Sequence, residues 1–163
     1  IEQEGTYPLP EAQLDRFMFN VVLNYPTLEE ELEIVRNTTS ENEVNLKKVM
    51  VGAQILQIQS LIKKIPAPEN VTEYAVKLVA KTRPNTQHAH EKVNQFVSWG
   101  AGPRASQYLV IGAKCHAAIN GKFSPDIEDV KAVAIPILRH RIVKNYKAEA
   151  EGLSIENIID YLL

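Results

Sequence analysis

The chain has 163 residues, of which 45% are hydrophobic and 23% charged, and its formal net charge is −2. This composition is typical of a globular protein and excludes wholesale disorder. The charge provides no general attraction to nucleic acid or to an anionic membrane, and no apolar run is long enough to span a membrane. A single cysteine, Cys115, excludes an internal disulfide and favours a reducing, cytoplasmic location.

The first 25 residues differ from the rest in their pattern. The opening residues have the composition of a loop, and Pro10 is well placed to open a short helix over 11–15. In residues 17–24 the side chains alternate as they do in a strand, and hydrophobic residues occur on both faces of that strand. This pattern predicts a strand buried in a larger sheet. Since the later sequence offers no parallel partner, we expect that the rest of that sheet either lies upstream of Ile1, in a longer protein, or is rebuilt here by some other contact.

Two amphipathic helices follow this segment. Thr27 and Glu30 form a capping box ahead of the first helix, and the second runs over 52–64 until prolines stop it. The apolar stripes predict that each helix buries one face. The positions expected to point inward are Leu28, Leu32 and Val35 in the first helix, and Ile55, Ile58, Leu61 and Ile62 in the second.

The remaining residues predict a helical bundle. A helix capped by Asn70 and Glu73 is followed by a polar loop over 84–95 and a short extended segment at 97–99. Later helices have start signals at Pro103, at Ser124 followed by Pro125, and at Ser154. The predicted fold class is mainly α: a bundle of five or six helices, preceded by the helix–strand remnant of an α/β domain.

Arg104 is predicted to lie where a helix least favours a cation. Gly100 and Gly102 release the backbone ahead of Pro103, which places Arg104 in the first helical turn. The N–H groups and positive dipole end there favour an anion by a few tenths to about 1 kcal/mol. The position therefore suggests a phosphate or carboxylate held jointly by the guanidinium and the helix end. The alternative is a surface arginine paired with an acidic neighbour.

Other charged groups have plainer interpretations. Arg16 could pair with Asp15 or Glu11, or could reach a phosphate bound by a neighbouring subunit. His88 and His90 have no cysteine or carboxylate cluster at ligand spacing, so we expect no metal site. A basic cluster could meet nucleic acid, but such a run more often forms a solvated helix end. Its members are Arg139, His140, Arg141, Lys144 and Lys147.

Three stretches resemble parts of the MoxR-type AAA+ ATPases. The segment EGTYPLPEAQLDRF, which ends at Phe17, is similar to the region after that family's sensor 1 strand. The segment GAGPRAS, residues 100–106, resembles the sensor 2 motif, although the family more often has serine in place of Gly102. The segment ILRHRI, residues 137–142, matches the stretch near the end of the lid.

The resemblance implies that residues 1–25 end an AAA+ core and that residues 26–163 form its helical lid. ATP and Mg²⁺ would then be bound mainly by Walker motifs upstream of Ile1. The chain itself contains no G-x-x-x-x-G-K-[ST]. We therefore expect ATP hydrolysis from the complete protein and none from this chain alone.

The same resemblance implies roles for two arginines. Arg16 corresponds to the arginine finger that reaches the γ-phosphate in the next protomer. Arg104, with Pro103 and Ala105 beside it, corresponds to the sensor 2 arginine at the phosphates of the protomer's own ATP. The complete protein would form a ring, expected to be a hexamer. It would act as a chaperone that remodels client complexes, often with a von Willebrand A-domain protein.

Two other functions are open alternatives from the residues alone. A helical protein-interaction module would use both arginines only for structure. A nucleic-acid-binding domain would use the basic cluster and would bind DNA or RNA in a salt-dependent way, which the acidic balance disfavours.

Overall fold

A computed structural model describes Tyr7, residues 9–40 and residues 46–163. Within these ranges the chain forms nine helices and two short strands. The helices are α1 (Glu11–Leu14), α2 (Leu28–Thr38), α3 (Gly52–Lys64), α4 (Glu69–Lys81), α5 (Glu91–Phe96), α6 (Pro103–Ile119), α7 (Ile127–Leu138), α8 (Tyr146–Ala150) and α9 (Ile155–Asp160). The strands are β1 (Val97–Trp99) and β2 (Val143–Lys144). The predicted mainly helical fold is confirmed.

The core lies between α4, α6 and α7, and the short helices close its ends. Leu78 of α4, Leu109 of α6 and Ile137 of α7 are at most 1% exposed. Gly112 lets α7 approach α6 closely, because a Cβ there would lie 3.1 Å from Val133 Cγ2. Burial of this apolar surface, at about 25 cal/mol per Å², is the main term that stabilises the packing.

A two-stranded antiparallel sheet ties the start of α6 to the end of α7. Val97 pairs with Lys144, and Trp99 pairs with Val143. The Ser98 hydroxyl lies 3.1 Å from the carbonyl oxygens of both β2 residues. The extended segment predicted at 97–99 is therefore confirmed, with β2 as its partner.

The strand predicted over 17–24 is not formed. Residues 19–27 contain neither helix nor strand, and Val21 and Leu23 are 73% and 88% exposed. An extended segment becomes a strand only when a neighbour pairs with its backbone. In the described part of the chain, the Asn20 N–H instead donates to the Pro136 carbonyl at the end of α7, at 2.8 Å. Short helix α1 precedes this segment, as predicted.

Helices α2 and α3 form where they are predicted, but their apolar faces are not buried. The Thr27–Glu30 capping box is present at 2.8 and 3.3 Å. Leu28 is nevertheless 70% exposed and Leu61 62% exposed. The prediction is wrong for Leu28, Leu32, Val35, Ile55, Ile58 and Leu61, which are each at least 45% exposed, whereas Ile62 is half-buried.

Several local predictions also need correction. Residues 84–95 are not all loop, because burial of Val93 and Phe96 supports helix α5. The α4 helix begins after Pro68 without a side-chain cap, so the caps predicted at Asn70 and Glu73 are wrong. Helix α8 was not predicted. Its N-cap residue is Asn145, whose side chain accepts from the Ala148 N–H at 3.0 Å.

The cap of α7 also differs from the prediction. Asp126, rather than Ser124, starts the helix, and it exchanges hydrogen bonds of 2.8 and 3.1 Å with Asp129. The Asp129 side chain is fully buried and also contacts His116 Nδ1 at 2.7 Å and Lys122 Nζ at 3.1 Å. This buried network fixes the turn between α6 and α7. The predicted cap of the last helix, Ser154, is confirmed.

None of the helices in the described ranges has both the length and the apolarity needed to cross a bilayer.

Candidate functional site

The loop before α6 is held against the end of α4. Thr82 is buried, and its Oγ1 accepts from the Ala101 N–H at 2.9 Å. Arg83 Nε donates to the Ala101 carbonyl, also at 2.9 Å. A Cβ at Gly100 would overlap the Thr82 backbone, so this position requires glycine. These contacts fix the point at which α6 begins.

The first turn of α6 combines a cation with an uncapped helix end. Pro103 occupies the first helical position, and Arg104 follows in the first turn, as predicted. Gly102 is the N-cap residue and has no side chain that could accept from the first-turn N–H groups. The positive end of a 17-residue helix is thus left without a side-chain cap.

The Asp15 carboxylate lies between two arginines. Arg104 Nη1 donates to one of its oxygens, Oδ2, and Arg141 Nε donates to the other, Oδ1, at 2.9 Å. The Arg104 side chain is 41% exposed, whereas that of Arg141 is 1% exposed. The pairing of Arg104 with an acidic neighbour, left open by the sequence, is therefore present. The partner lies 89 residues away in the chain.

Arg141 anchors the segment after α1 to the end of α7. Its Nη2 donates to the carbonyls of Asp15 and Phe17 at 2.7 and 2.6 Å, and its Nη1 donates to that of Ile137. Its guanidinium also stacks on the Tyr108 ring, 5.1 Å from the ring centre. Burial lowers the pKa of Arg141, while the Asp15 carboxylate opposes that change; the group stays charged at neutral pH. The prediction of a solvated helix end is wrong for Arg141.

The other residues of the basic cluster also contact polar groups of the same chain. His140 Nε2 lies 3.0 Å from the Phe17 carbonyl, and burial lowers the pKa of this imidazole, so it is neutral near pH 7. The other cations have acidic partners: Arg139 with Glu156 at 3.3 Å, Lys144 with Glu149 at 3.2 Å, and Lys147 with Glu151 at 4.0 Å. The cluster therefore does not form a run of unpaired cations.

Arg16 is positioned by its backbone rather than by its side chain. The Tyr108 hydroxyl donates to the Arg16 carbonyl at 3.0 Å. The Arg16 residue is exposed, and its guanidinium has no ion pair among the described residues. The pair with Asp15 or Glu11 that the sequence allowed is not formed, because Arg104 and Arg141 occupy the Asp15 carboxylate.

Two clefts lie on either side of the loop before α6. One, of about 340 Å³, is lined by residues that include Glu11, Asp15 and Arg141. The other, of about 430 Å³, is lined by Arg83 and Pro103, and Trp99 borders both. Trp99 is 71% exposed, so its ring is available for contact. A larger cleft, of about 610 Å³, runs along α4, and neither Arg16 nor Arg104 is among the residues that line these three clefts.

The two histidines considered as metal ligands have separate surroundings. His90 Nδ1 accepts from the Lys92 N–H at 3.2 Å and caps α5. His88 lines the cleft along α4. Within the described ranges, no group of three or more potential ligand side chains is close enough to hold a metal ion.

Comparison with known proteins places this arrangement in a family. Residues 89–161 match the AAA lid domain, a region that includes all of α5 to α9. The chain is 35% identical, over its full length, to chaperone MoxR1 of Mycobacterium tuberculosis. It is 25% identical, over 94% of its length, to protein MoxR of Paracoccus denitrificans. The chain contains the AAA lid domain and is similar, along its length, to the C-terminal part of MoxR proteins.

A solved structure of an ATPase shares this fold. The crystal structure of a candidate ATPase from Cytophaga hutchinsonii superposes on 99% of the chain with a TM-score of 0.89 and 40% sequence identity. The chain covers 43% of the Mycobacterium protein and 49% of the Cytophaga chain. It therefore spans about half the length of the relatives it matches.

Three contacts of the chain were not predicted from the sequence. They are the hydrogen bond from Arg141 to the Asp15 carboxylate, the stacking of Arg141 on the Tyr108 ring, and the hydrogen bond from the Ala101 N–H to Thr82. Each joins residues from different helices or loops, and a pattern within one helix carries no information about such a contact. The one available signal is the segment that contains Arg141, which was matched to the end of the family's lid without a role.

Proposed function

We propose that this chain is the lid and sensor 2 region of a MoxR-type AAA+ ATPase, with residues 1–25 ending the core and residues 26–163 forming the lid. The complete protein would couple ATP binding and hydrolysis to chaperone-like remodelling of client complexes in the cytoplasm. It would act as a ring, with a hexamer expected, and with a von Willebrand A-domain protein or another client complex as its partner.

The observation that carries the proposal is the start of α6. Gly102 leaves this helix end without a side-chain cap, and Arg104 lies in its first turn. Free N–H groups, the helix dipole and a guanidinium fork together suit a phosphate group. Arg104 would contact the phosphates of ATP in its own protomer, with Pro103 and Ala105 beside it. ATP supplies the transferable phosphoryl group, and it and Mg²⁺ would be held mainly by the core.

Arg16 would act on the nucleotide of a neighbouring protomer. Its exposed side chain has no ion pair in the described chain, while the Tyr108 hydroxyl fixes its backbone at 3.0 Å. A charged side chain on a fixed backbone can reach outward without a loss of internal contacts. Arginine stabilises the charge that develops on a transferred phosphoryl group, because its planar fork matches the oxygens.

The first test is a pair of variants in the full-length protein. Arg104→Ala should lower ATP hydrolysis about 100-fold or more with an unchanged circular dichroism spectrum. Arg16→Ala should lower ATP hydrolysis to a similar extent, but this variant should still bind nucleotide. Arg139→Ala, which removes a lid arginine paired only with Glu156, is the matched control and should hydrolyse ATP normally.

Mixing the two inactive variants separates their roles. In a mixed ring, an Arg16→Ala protomer keeps Arg104 for its own nucleotide and receives Arg16 from an Arg104→Ala neighbour. Part of the activity should therefore return on mixing. Normal hydrolysis by Arg104→Ala would contradict the proposal, and no recovery on mixing would contradict the assignment of Arg16 to a neighbour's site.

A helical interaction module without a nucleotide role is the second candidate. It is favoured by the exposed apolar faces of α2 and α3, where Leu28, Leu56 and Leu61 are each at least 62% exposed. Exposed apolar surface of this kind marks contact with another surface. This candidate predicts that Arg104→Ala changes stability or nothing, rather than ATP hydrolysis.

A further inference from the structure

We propose that Asp15 is a positioning residue that competes with a phosphate for Arg104, and so sets the affinity of the site for nucleotide. This inference rests on the proposed function of Arg104. The observation behind it is that one carboxylate holds two arginines of unequal exposure, one on α6 and one after α7.

The two ion pairs of Asp15, with Arg141 and with Arg104, differ in how easily they can break. Arg141 is buried and donates to the carbonyls of Asp15 and Phe17 as well as to the carboxylate. Arg104 is the more exposed partner, with a side chain that is 41% exposed and no other hydrogen bond from its guanidinium in the described chain. An incoming anion would therefore displace Asp15 from Arg104 and leave the contact with Arg141 in place.

Such an exchange would not detach the segment that carries Arg16. The Arg141 fork continues to hold the backbone at Asp15 and Phe17, and Tyr108 continues to hold the carbonyl of Arg16. The carboxylate keeps one cationic partner after the exchange, so no buried charge is left unpaired. The cost to nucleotide binding is therefore the partly exposed Arg104–Asp15 pair alone.

The size of that cost follows from the exposure of the pair. Ion pairs that remain partly open to solvent typically contribute a few tenths to about 1 kcal/mol. Removal of the competing charge should therefore tighten nucleotide binding about two- to fivefold. A carboxylate that instead helped to bind the nucleotide, for example by orienting Arg104 toward it, would give the opposite sign.

The test is a double-mutant cycle in the full-length protein, with the Kd of ADP measured by calorimetry. Asp15→Asn should tighten ADP binding when Arg104 is present and should have no effect on top of Arg104→Ala. Asp15→Glu keeps the charge and should bind ADP as the wild type does. Glu11→Gln removes a carboxylate of α1, the helix just before Asp15, that has no ion pair in the described chain, and it should leave the Kd unchanged.

Each outcome of the cycle has a separate meaning. An equal effect of Asp15→Asn in both backgrounds, no effect, or weaker ADP binding would overturn the inference. If Arg104→Ala alone still weakens ADP binding, the proposed function of Arg104 survives that result. Unchanged ADP binding by Arg104→Ala would overturn both. Circular dichroism checks that each variant is folded, and Asp15→Ser replaces Asp15→Asn in the cycle if the latter unfolds.

Discussion

The helices of residues 69–163 and those of residues 9–64 have similar amphipathic patterns but different fates. In the first region, α6 and α7 pack against each other and bury residues such as Leu109 and Ile137 completely. In the second region, α2 and α3 have no fully buried residue. The comparison shows that an apolar stripe predicts a helix, but it does not predict that other residues of the same chain bury the apolar face of that helix.

The largest difference between the two regions should appear on truncation of a leucine. Leu109→Ala empties a fully buried position and should lower the free energy of unfolding by about 2–5 kcal/mol. Leu32→Ala, at a position that is 48% exposed on α2, should change it by about 0.5 kcal/mol or less. Urea denaturation of the chain measures both, and equal losses would show that α2 is part of the same core.

The buried carboxylate at the α6–α7 turn should give this region a specific dependence on pH. Burial acts to raise the pKa of Asp129, but hydrogen bonds from the Asp126 backbone, His116 and Lys122 outweigh it and lower the pKa to about 2. Because the folded pKa lies below the unfolded value of 3.8, the contribution is complete above about pH 4. It is lost as the pH falls toward about 2 and is on the order of 2 kcal/mol.

Urea denaturation at several pH values between those limits tests this assignment. Asp129→Asn should remove most of the stability change over that range, because the asparagine does not titrate. Asp160→Asn, at an exposed position at the end of α9, is the matched control and should preserve the wild-type pH profile. An unchanged profile for Asp129→Asn would assign the acid sensitivity to other carboxylates.

The parts predicted correctly from the sequence are those governed by neighbours in the chain. The Thr27–Glu30 box, Pro103 at the start of α6 and Ser154 at the start of α9 are all formed. The placement of Arg104 in the first turn also follows from local signals. Its partner could not be predicted, because Asp15 follows α1 and only the tertiary fold brings it near α6.

The strand predicted over 17–24 also shows that a local sequence pattern does not determine long-range contacts, because here the pattern predicted a contact that is not formed. Residues 17–24 have the alternation of a buried strand, but strand pairing is a contact between distant segments, which one segment cannot specify. The structure replaces that pairing with hydrogen bonds to Arg141 and to the Pro136 carbonyl. The segment is thus attached at a few points rather than along its length.

Removal of Arg141 should loosen the segment after α1 while the core stays folded. Arg141→Ala deletes the hydrogen bonds that hold the backbone at Asp15 and Phe17, whereas the core between α4, α6 and α7 lies elsewhere. Hydrogen bonds to a charged group contribute about 1.5–3 kcal/mol. Amide exchange at Asn20 should therefore accelerate about 10- to 100-fold while that of α6 and α7 is unchanged.

Arg139→Ala, which removes the adjacent arginine with its Glu156 pair, is the control for this measurement and should leave exchange at Asn20 unaltered. Faster exchange throughout α6 and α7 in Arg141→Ala would mean that the segment and the core unfold as one unit. Exchange confined to the segment would mean that Arg141 stabilises the segment after α1 without supporting the core. In that case the backbone on either side of Arg16 is held by an arginine 125 residues along the chain, together with the Tyr108 hydroxyl, rather than by the sequence around it.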